Sequence, residues 1–231
     1  MQQAFYAIII IIITVCIYLL MRKLYMKYPA PYLMPLLPST ILIIVVLFCS
    51  HFSYQDYMVG GKYIQSFLGP AVVALAYPLY KQRQVLLSNI VPIVSGVVVG
   101  LVTALISGFL FAIALGIEHR YILSLVPKSL TTPVAIQVSS GIGGVPSMTV
   151  VFVLIAGFTG TILGPVILKW ANIQSSLGRG IALGSASHAF GTSKALEYGE
   201  LTASMSSVSM TLSALLGSVV GPLFVWLLHL S

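Results

Sequence analysis

Charge is what this sequence has least of. Only 6% of its 231 residues are charged, eleven Lys or Arg and four Asp or Glu, where a soluble domain carries about 25%. A water-facing surface cannot be built from so few charges. With 58% hydrophobic residues and a mean hydropathy of +1.06, most of the chain must be solvated by lipid. Cysteine is nearly absent too. Cys16 and Cys49 both lie inside apolar runs, which predicts buried thiols rather than a disulfide or metal framework. No G-x-S-x-G, no H-E-x-x-H and no pair of carboxylates within an apolar segment occurs. Ser185 or Ser187 beside His188 supplies the residue types of a serine nucleophile and its base, but neighbours in a helix do not face one another. The chain is therefore not expected to be an enzyme, and no catalytic residue, metal or cofactor is assigned. The net charge of +7 reflects cationic cytoplasmic loops, not a nucleic-acid partner.

What is present is long apolar runs. A crossing takes about 20 residues, so about eight segments is the ceiling and nothing remains for a domain in water. Residues 4–21 form a first transmembrane helix rather than a signal peptide. Arg22, Lys23 and Lys27 follow it as a cytoplasmic loop, and a second span covers 32–50. The stretch 51–62 reads as an external loop, and 64–80 as a span interrupted at Gly69-Pro70 and Pro78. Lys81 and Arg83 return the chain to the cytoplasm. A further span over 85–116, with the small residues Ser95, Gly96, Gly100, Ser107 and Gly108, ends outside at Glu118-His119-Arg120.

Beyond Tyr121 the texture changes. Two segments, 124–144 and 180–199, are rich in Ser, Thr, Gly and Pro yet too apolar for exposed loops. Broken backbone of this kind is tolerated only inside protein or lining a cavity. Each precedes a span, over 145–170 and 201–228. A shift of 57 residues, the separation of Pro165 from Pro222, also superposes Ser147 on Ser204, Met148 on Met205, Val151 on Val208, Gly160 on Gly217 and Gly164 on Gly221. That is a transporter-like internal repeat. Lys169 and Arg179 both fall in the cytoplasm only if the broken segments are re-entrant, so the repeats are inverted. The expectation is an all-α, polytopic membrane protein with six full crossings and two broken segments, eight spans being the alternative, and both termini outside. Residues 1–120 form a scaffold and 121–231 carry the site, within a single membrane domain.

Two constellations carry chemistry. The first is Ser129, Thr131, Thr132, Pro133, Gln137, Ser139, Ser140, Gly141, Gly143 and Gly144. A helix starting inside such a segment offers free N–H groups and a positive dipole end to a carboxylate, and hydroxyls add hydrogen bonds. The second is Ser185, Ser187, His188, Gly191, Thr192, Ser193 and Lys194, with Glu197 and Glu200 behind. Ionisable residues at membrane depth mark an ion or substrate path. His188 and Glu197 are the candidates for proton coupling, because imidazole holds an anion when protonated and releases it when neutral. The competing reading makes the small residues helix-packing glue and Lys194, Glu197 and Glu200 a solvated helix end. His119 and His229 read as interfacial, and Asp56, Lys62, Glu118, Arg120 and Lys128 as dressing the external face.

The run PKSLTTPVAIQVSSGIGGVPSMTVVFVLIAGFTGTILGP, with GIALGSASHAFGTSKALEYGE and the earlier LGPAVVALAYPLYKQR, closely resembles the LrgB/CidB family of antiholin-like bacterial membrane proteins. The resemblance runs from about residue 66 to the C-terminus. It implies signature positions at Ser129, Thr131, Thr132 and Pro133, and at Ser187, His188, Gly191 and Thr192. It implies a multi-pass protein of the bacterial cytoplasmic membrane with a small LrgA/CidA-like partner, and it is compatible with a homodimer. Two functions follow from it. One is carriage of pyruvate or a similar small monocarboxylate, as in family members that move pyruvate, glycolate or glycerate. The other is restraint of a holin-like partner, and so of murein hydrolases and lysis.

Overall fold

A computed structural model describes residues 2–30, 33, 35–74 and 76–228; His229 lies outside them. Helix is the only regular structure among the described residues. The chain forms two compact units, Met1–Ala71 and Val72–Ser231.

In the first unit, α1 (Gln2–Lys27) is a single helix that includes Arg22, Lys23 and Lys27, so these bases sit on its last turns and not in a loop. The next helix, α2 (Leu36–Cys49), has 14 residues. The expected external loop is instead mostly helix, α3 (Tyr54–Ser66). Ser53 starts it with a capping box, and Gly60 lets it lie directly on α1, where a Cβ would stand 2.7 Å from Ile10 Cβ. Tyr57 and Thr14 add a hydroxyl pair at 3.2 Å. Both cysteines are free and exposed. An apolar run does not imply burial where a helix turns most of its surface to lipid, and among the described residues α1 buries only the hydrophobic side chains of Ala7 and Ile17. Asp56 accepts hydrogen bonds from the Ser53 hydroxyl and amide, which hold its carboxyl below the usual carboxylate range. A depressed carboxyl supports the folded helix above the ordinary titration range and stops doing so as pH falls through the folded value. The protection factor of the Tyr57 amide, which begins the helix by donating to Ser53 O, should therefore fall below about pH 4 once the intrinsic slowing of exchange in acid is divided out.

Over the stretch that the sequence reads as an interrupted span, the described residues are helical as α4 (Leu68–Ala74) and α5 (Ala76–Lys81), with Gly69-Pro70 inside the first and Pro78 inside the second. A short α6 (Arg83–Ser88) leads to α7 (Ile90–Ala114). The remaining elements are α8 (His119–Leu125), α9 (Thr132–Gly141), α10 (Pro146–Trp170), α11 (Ser176–Ala195) and α12 (Glu200–Leu227). Among the described residues α1, α7, α10 and α12 are long and apolar enough to cross a membrane. Six crossings require that α2 and the α4–α5 pieces also span. The sequence groups 85–116 with the proximal helices, whereas α7 packs in the second unit against α11, α12 and α8.

Both broken segments fold back on themselves. In the first, α8 and α9 form a hairpin: Val145 N–H donates to Ser124 Oγ at 2.7 Å, and a Cβ on Gly144 would lie 3.1 Å from the Leu123 carbonyl carbon. In the second, α11 leaves helical geometry at His188 (φ 42, ψ −128). Gly191 then packs against the Leu183 carbonyl, and the Arg179 guanidinium stacks over Tyr198 at 5.0 Å. An unbroken helix would hold residues 183 and 191 about 12 Å apart. The tips of the two hairpins are related by the repeat, since α9 begins at Thr132 and the second arm of α11 at residue 189, 57 residues on.

The hairpins enter from opposite ends. The base of the first adjoins the start of α10, where Thr149 Oγ1 donates to Ser139 Oγ at 2.6 Å. The base of the second adjoins its end, where Leu168 joins Leu183, Ala195 and Ala203. Glycines on the long helices seat them in a symmetric exchange. Gly160 of α10 receives Ser187, and Gly217 of α12 receives Leu130. Gly164 faces Leu183 and Gly221 faces Val126, with would-be Cβ contacts of 3.0 and 3.8 Å. Every one of these pairs maps onto its counterpart by the same 57-residue shift. This is an inverted repeat with each half holding the other's broken segment.

Candidate functional site

Where the tips come together can be read along α7 and α12. On α7, Gly100 faces Ser185 of the second hairpin, and Ala104, one turn later, receives Lys128 of the first. Four residues of helix rise about 6 Å. On α12, Ser206 pairs with Thr192, and Gly217 receives Leu130, with Ser213 between them. The two tips thus approach one another in the middle layer of both long helices, about 6 Å apart along α7 and about 16 Å apart along α12 by these contacts.

At the first tip, Thr131 occupies the N-cap of α9 without capping it. Its hydroxyl is buried without a hydrogen-bond partner. Ser129 is buried beside it, and Thr132 and Pro133 form the first turn. At the second tip, His188 is 2% exposed. Its Nε2–H donates to the Val153 carbonyl of α10 at 3.1 Å, since a carbonyl can only accept. The ring is wedged against Gly157, where a Cβ would stand 2.8 Å from Cε1, and meets Phe190 edge-on. Ser187 Oγ, like Thr131 Oγ1, is buried and unpaired, and so is Ser213 Oγ on α12. Buried hydroxyls are nearly always satisfied. These three are the buried side-chain hydroxyls without a partner among the described residues, one on each tip and one on α12. Thr192 completes the tip, donating to His188 O at 3.1 Å and lying 3.0 Å from Ser206 Oγ.

The remaining sequence candidates lie elsewhere. Ser185 is spent on Ile181 O at 2.6 Å and Gly191 seats the fold-back. Gln137, Ser140, Gly141 and Ser193 are exposed on outward faces. Ser139 is bonded to Thr149, and Gly143 (φ 84) and Gly144 form the base of the first hairpin. Lys194 is paired with Glu197 at 2.6 Å, near the opposite base, and Glu200 begins α12. There a recess of about 410 Å³ is lined by Lys169, Asn172, Gln174, Arg179 and Tyr198, among others. Two features run against or beyond the sequence reading. Lys128 does not dress an outer face: the fold-back carries its Nζ to within 2.8 Å of Ala104 O on α7, with Gly108 making room. Thr149, Ser206 and Ser213 lie outside both sequence constellations, although Thr149 and Ser206 are repeat equivalents.

No solved structure matches the chain. Among curated relatives, uncharacterized protein YxaC of Bacillus subtilis (strain 168) is 66% identical over 230 residues, covering all of both chains. Holin-like protein CidB of Staphylococcus aureus (strain Mu50 / ATCC 700699) is 40% identical over 96% of this chain and 97% of its own. Holin-like protein CidB of Staphylococcus epidermidis (strain ATCC 12228 / FDA PCI 1200) is 37% identical over 99% and 100%. The model of the LrgB-like family matches residues 14–227. This multi-pass, all-helical membrane chain belongs to the LrgB-like family.

Proposed function

We propose that the chain is the transport subunit for pyruvate or a similar small monocarboxylate, acting with a small LrgA/CidA-like partner in the bacterial cytoplasmic membrane, and that it is not an enzyme. The observation carrying this reading is the meeting of two inverted hairpin tips with the unpaired buried hydroxyls of Thr131 and Ser187. Such a layer suits alternating access, in which one repeat rocks against the other around a fixed midplane site. A carboxylate there accepts from the hydroxyls and from the N-terminal amides of α9. Lys169, Arg179 and Lys194 at one end orient that end to the cytoplasm, where the recess collects anions.

The staphylococcal relatives are named holin-like, and with the resemblance to antiholin-like proteins this favours a second reading, a regulator that restrains murein hydrolases and lysis through a holin-like partner. Uptake of radiolabelled pyruvate into proteoliposomes, with and without the small partner, separates the two. Wild type should show saturable uptake. Thr131→Val removes an orphan hydroxyl, so its unfolding temperature should stay level or rise while uptake falls about tenfold. Wild type without uptake in every combination, with lysis control intact in cells, would sink the carrier.

A further inference from the structure

We infer that Lys128 is the counter-charge of the transported anion. The inference rests on the carrier reading and adds a residue to its site. The sequence holds four acidic side chains, and none of them forms an ion pair with Lys128. Asp56 is held by Ser53, Glu118 by Arg120 and Glu197 by Lys194, and Glu200 is exposed at the start of α12. Among the described residues, then, the ammonium of Lys128 has no ionic partner; it donates to the Ala104 carbonyl, partway along α7. Lys128 is half-buried, and a cation drawn partly out of water and left unneutralised is costly and in membranes marks an ion or substrate path.

Its surroundings specify the missing partner. Lys128 belongs to the turn that carries Ser129 and Thr131, both buried, the latter with its hydroxyl unpaired. One turn away along α7 stands Ser185 of the other tip. Cation, orphan hydroxyl and the start of a ten-residue helix therefore share one turn. That combination fits a singly charged carboxylate and leaves a neutral molecule of the same shape without the charge to match. A carboxylate supplies one negative charge and acceptor oxygens, and so neutralises the site that the empty protein leaves positive. Entry of the anion and relief of the buried charge are then one event, which selects anions over neutral isosteres.

The test uses the full chain with its small partner and compares Lys128→Gln with Lys128→Arg. Glutamine keeps an N–H donor one bond shorter than lysine but has no charge; arginine keeps the charge. Radiolabelled pyruvate uptake in proteoliposomes and the unfolding temperature in detergent, with and without pyruvate, are both read. In K128Q the KM should rise at least tenfold and the pyruvate-induced rise in unfolding temperature should vanish, with the ligand-free unfolding temperature unchanged. K128R should retain both. Wild-type KM in K128Q overturns the inference and leaves the carrier standing, as does equal loss of ligand-free stability in K128Q and K128R, which makes Lys128 a packing clamp. If wild type takes up no pyruvate yet is stabilised by it, and K128Q is not, the carrier fails and the anion site stands. If wild type neither takes up nor responds to pyruvate, both fail.

Discussion

Exchanging His188 for alanine should abolish pyruvate uptake, by at least tenfold or about 1.4 kcal/mol of lost stabilisation, and destabilise the chain as well. Two costs combine in this variant. The Val153 carbonyl loses its donor, and an unsatisfied buried acceptor costs about 1–3 kcal/mol. Alanine must also hold φ 42, ψ −128, a conformation at which only glycine is at ease. Glycine therefore separates the two roles of the position. His188→Gly keeps the reversal of the chain without strain and should unfold at a higher temperature than His188→Ala, yet it too should lack uptake. Restored transport in His188→Gly would mean that the residue shapes the hairpin only and that its imidazole takes no part at the tip. A glycine variant no more stable than the alanine one would deny that the backbone turns here as described.

The repeat, the breaks and the membrane class were all legible in the residues, and for one reason. Period, apolar length and small-residue content are local properties, and the 57-residue shift needs only identities along a line. Depth was not legible in the same way. Lys194, Glu197 and Glu200 follow His188 closely in sequence, but the second arm of the hairpin returns them to its base, where Lys194 and Glu197 pair with one another. Lys128 suffers the reverse error. Next to a proline in a polar run it reads as surface, and only the closing of α8 on α9 carries it to mid-helix on α7. The hydroxyls of α12 were hidden by their helix: Ser206 and Ser213 lie in an apolar span, where serine is usually packing glue, and their inward direction depends on which neighbours surround them. The helix α3 is a different case, because Ser53 and Asp56 already spell a capping box three residues apart. That signal was local and was masked by the polarity of the stretch.

A single methyl group on Gly184 should be among the most damaging small substitutions in the second unit. A Cβ there would run into the backbone of Ser206, whose Cα and carbonyl carbon would both stand 2.9 Å away, with its oxygen closer still. Side chains can turn aside, but Ser206 is main chain in the interior of α12 and has nowhere to go. Overpacking of this kind costs about 1–3 kcal/mol, and a backbone obstacle puts Gly184→Ala at the upper end. Gly141→Ala is the matched control, since nothing lies within 4 Å of its Cβ position. Thermal unfolding in detergent should show Gly184→Ala several degrees below wild type and Gly141→Ala level with it. Equal melting of the two would deny that α11 lies against α12 at this depth. The separation matters beyond stability, because the same close approach brings Thr192 within 3.0 Å of Ser206. Forcing the helices apart at Gly184 pulls that pair open and loosens the second tip, so uptake in Gly184→Ala should fall even where the variant is still folded.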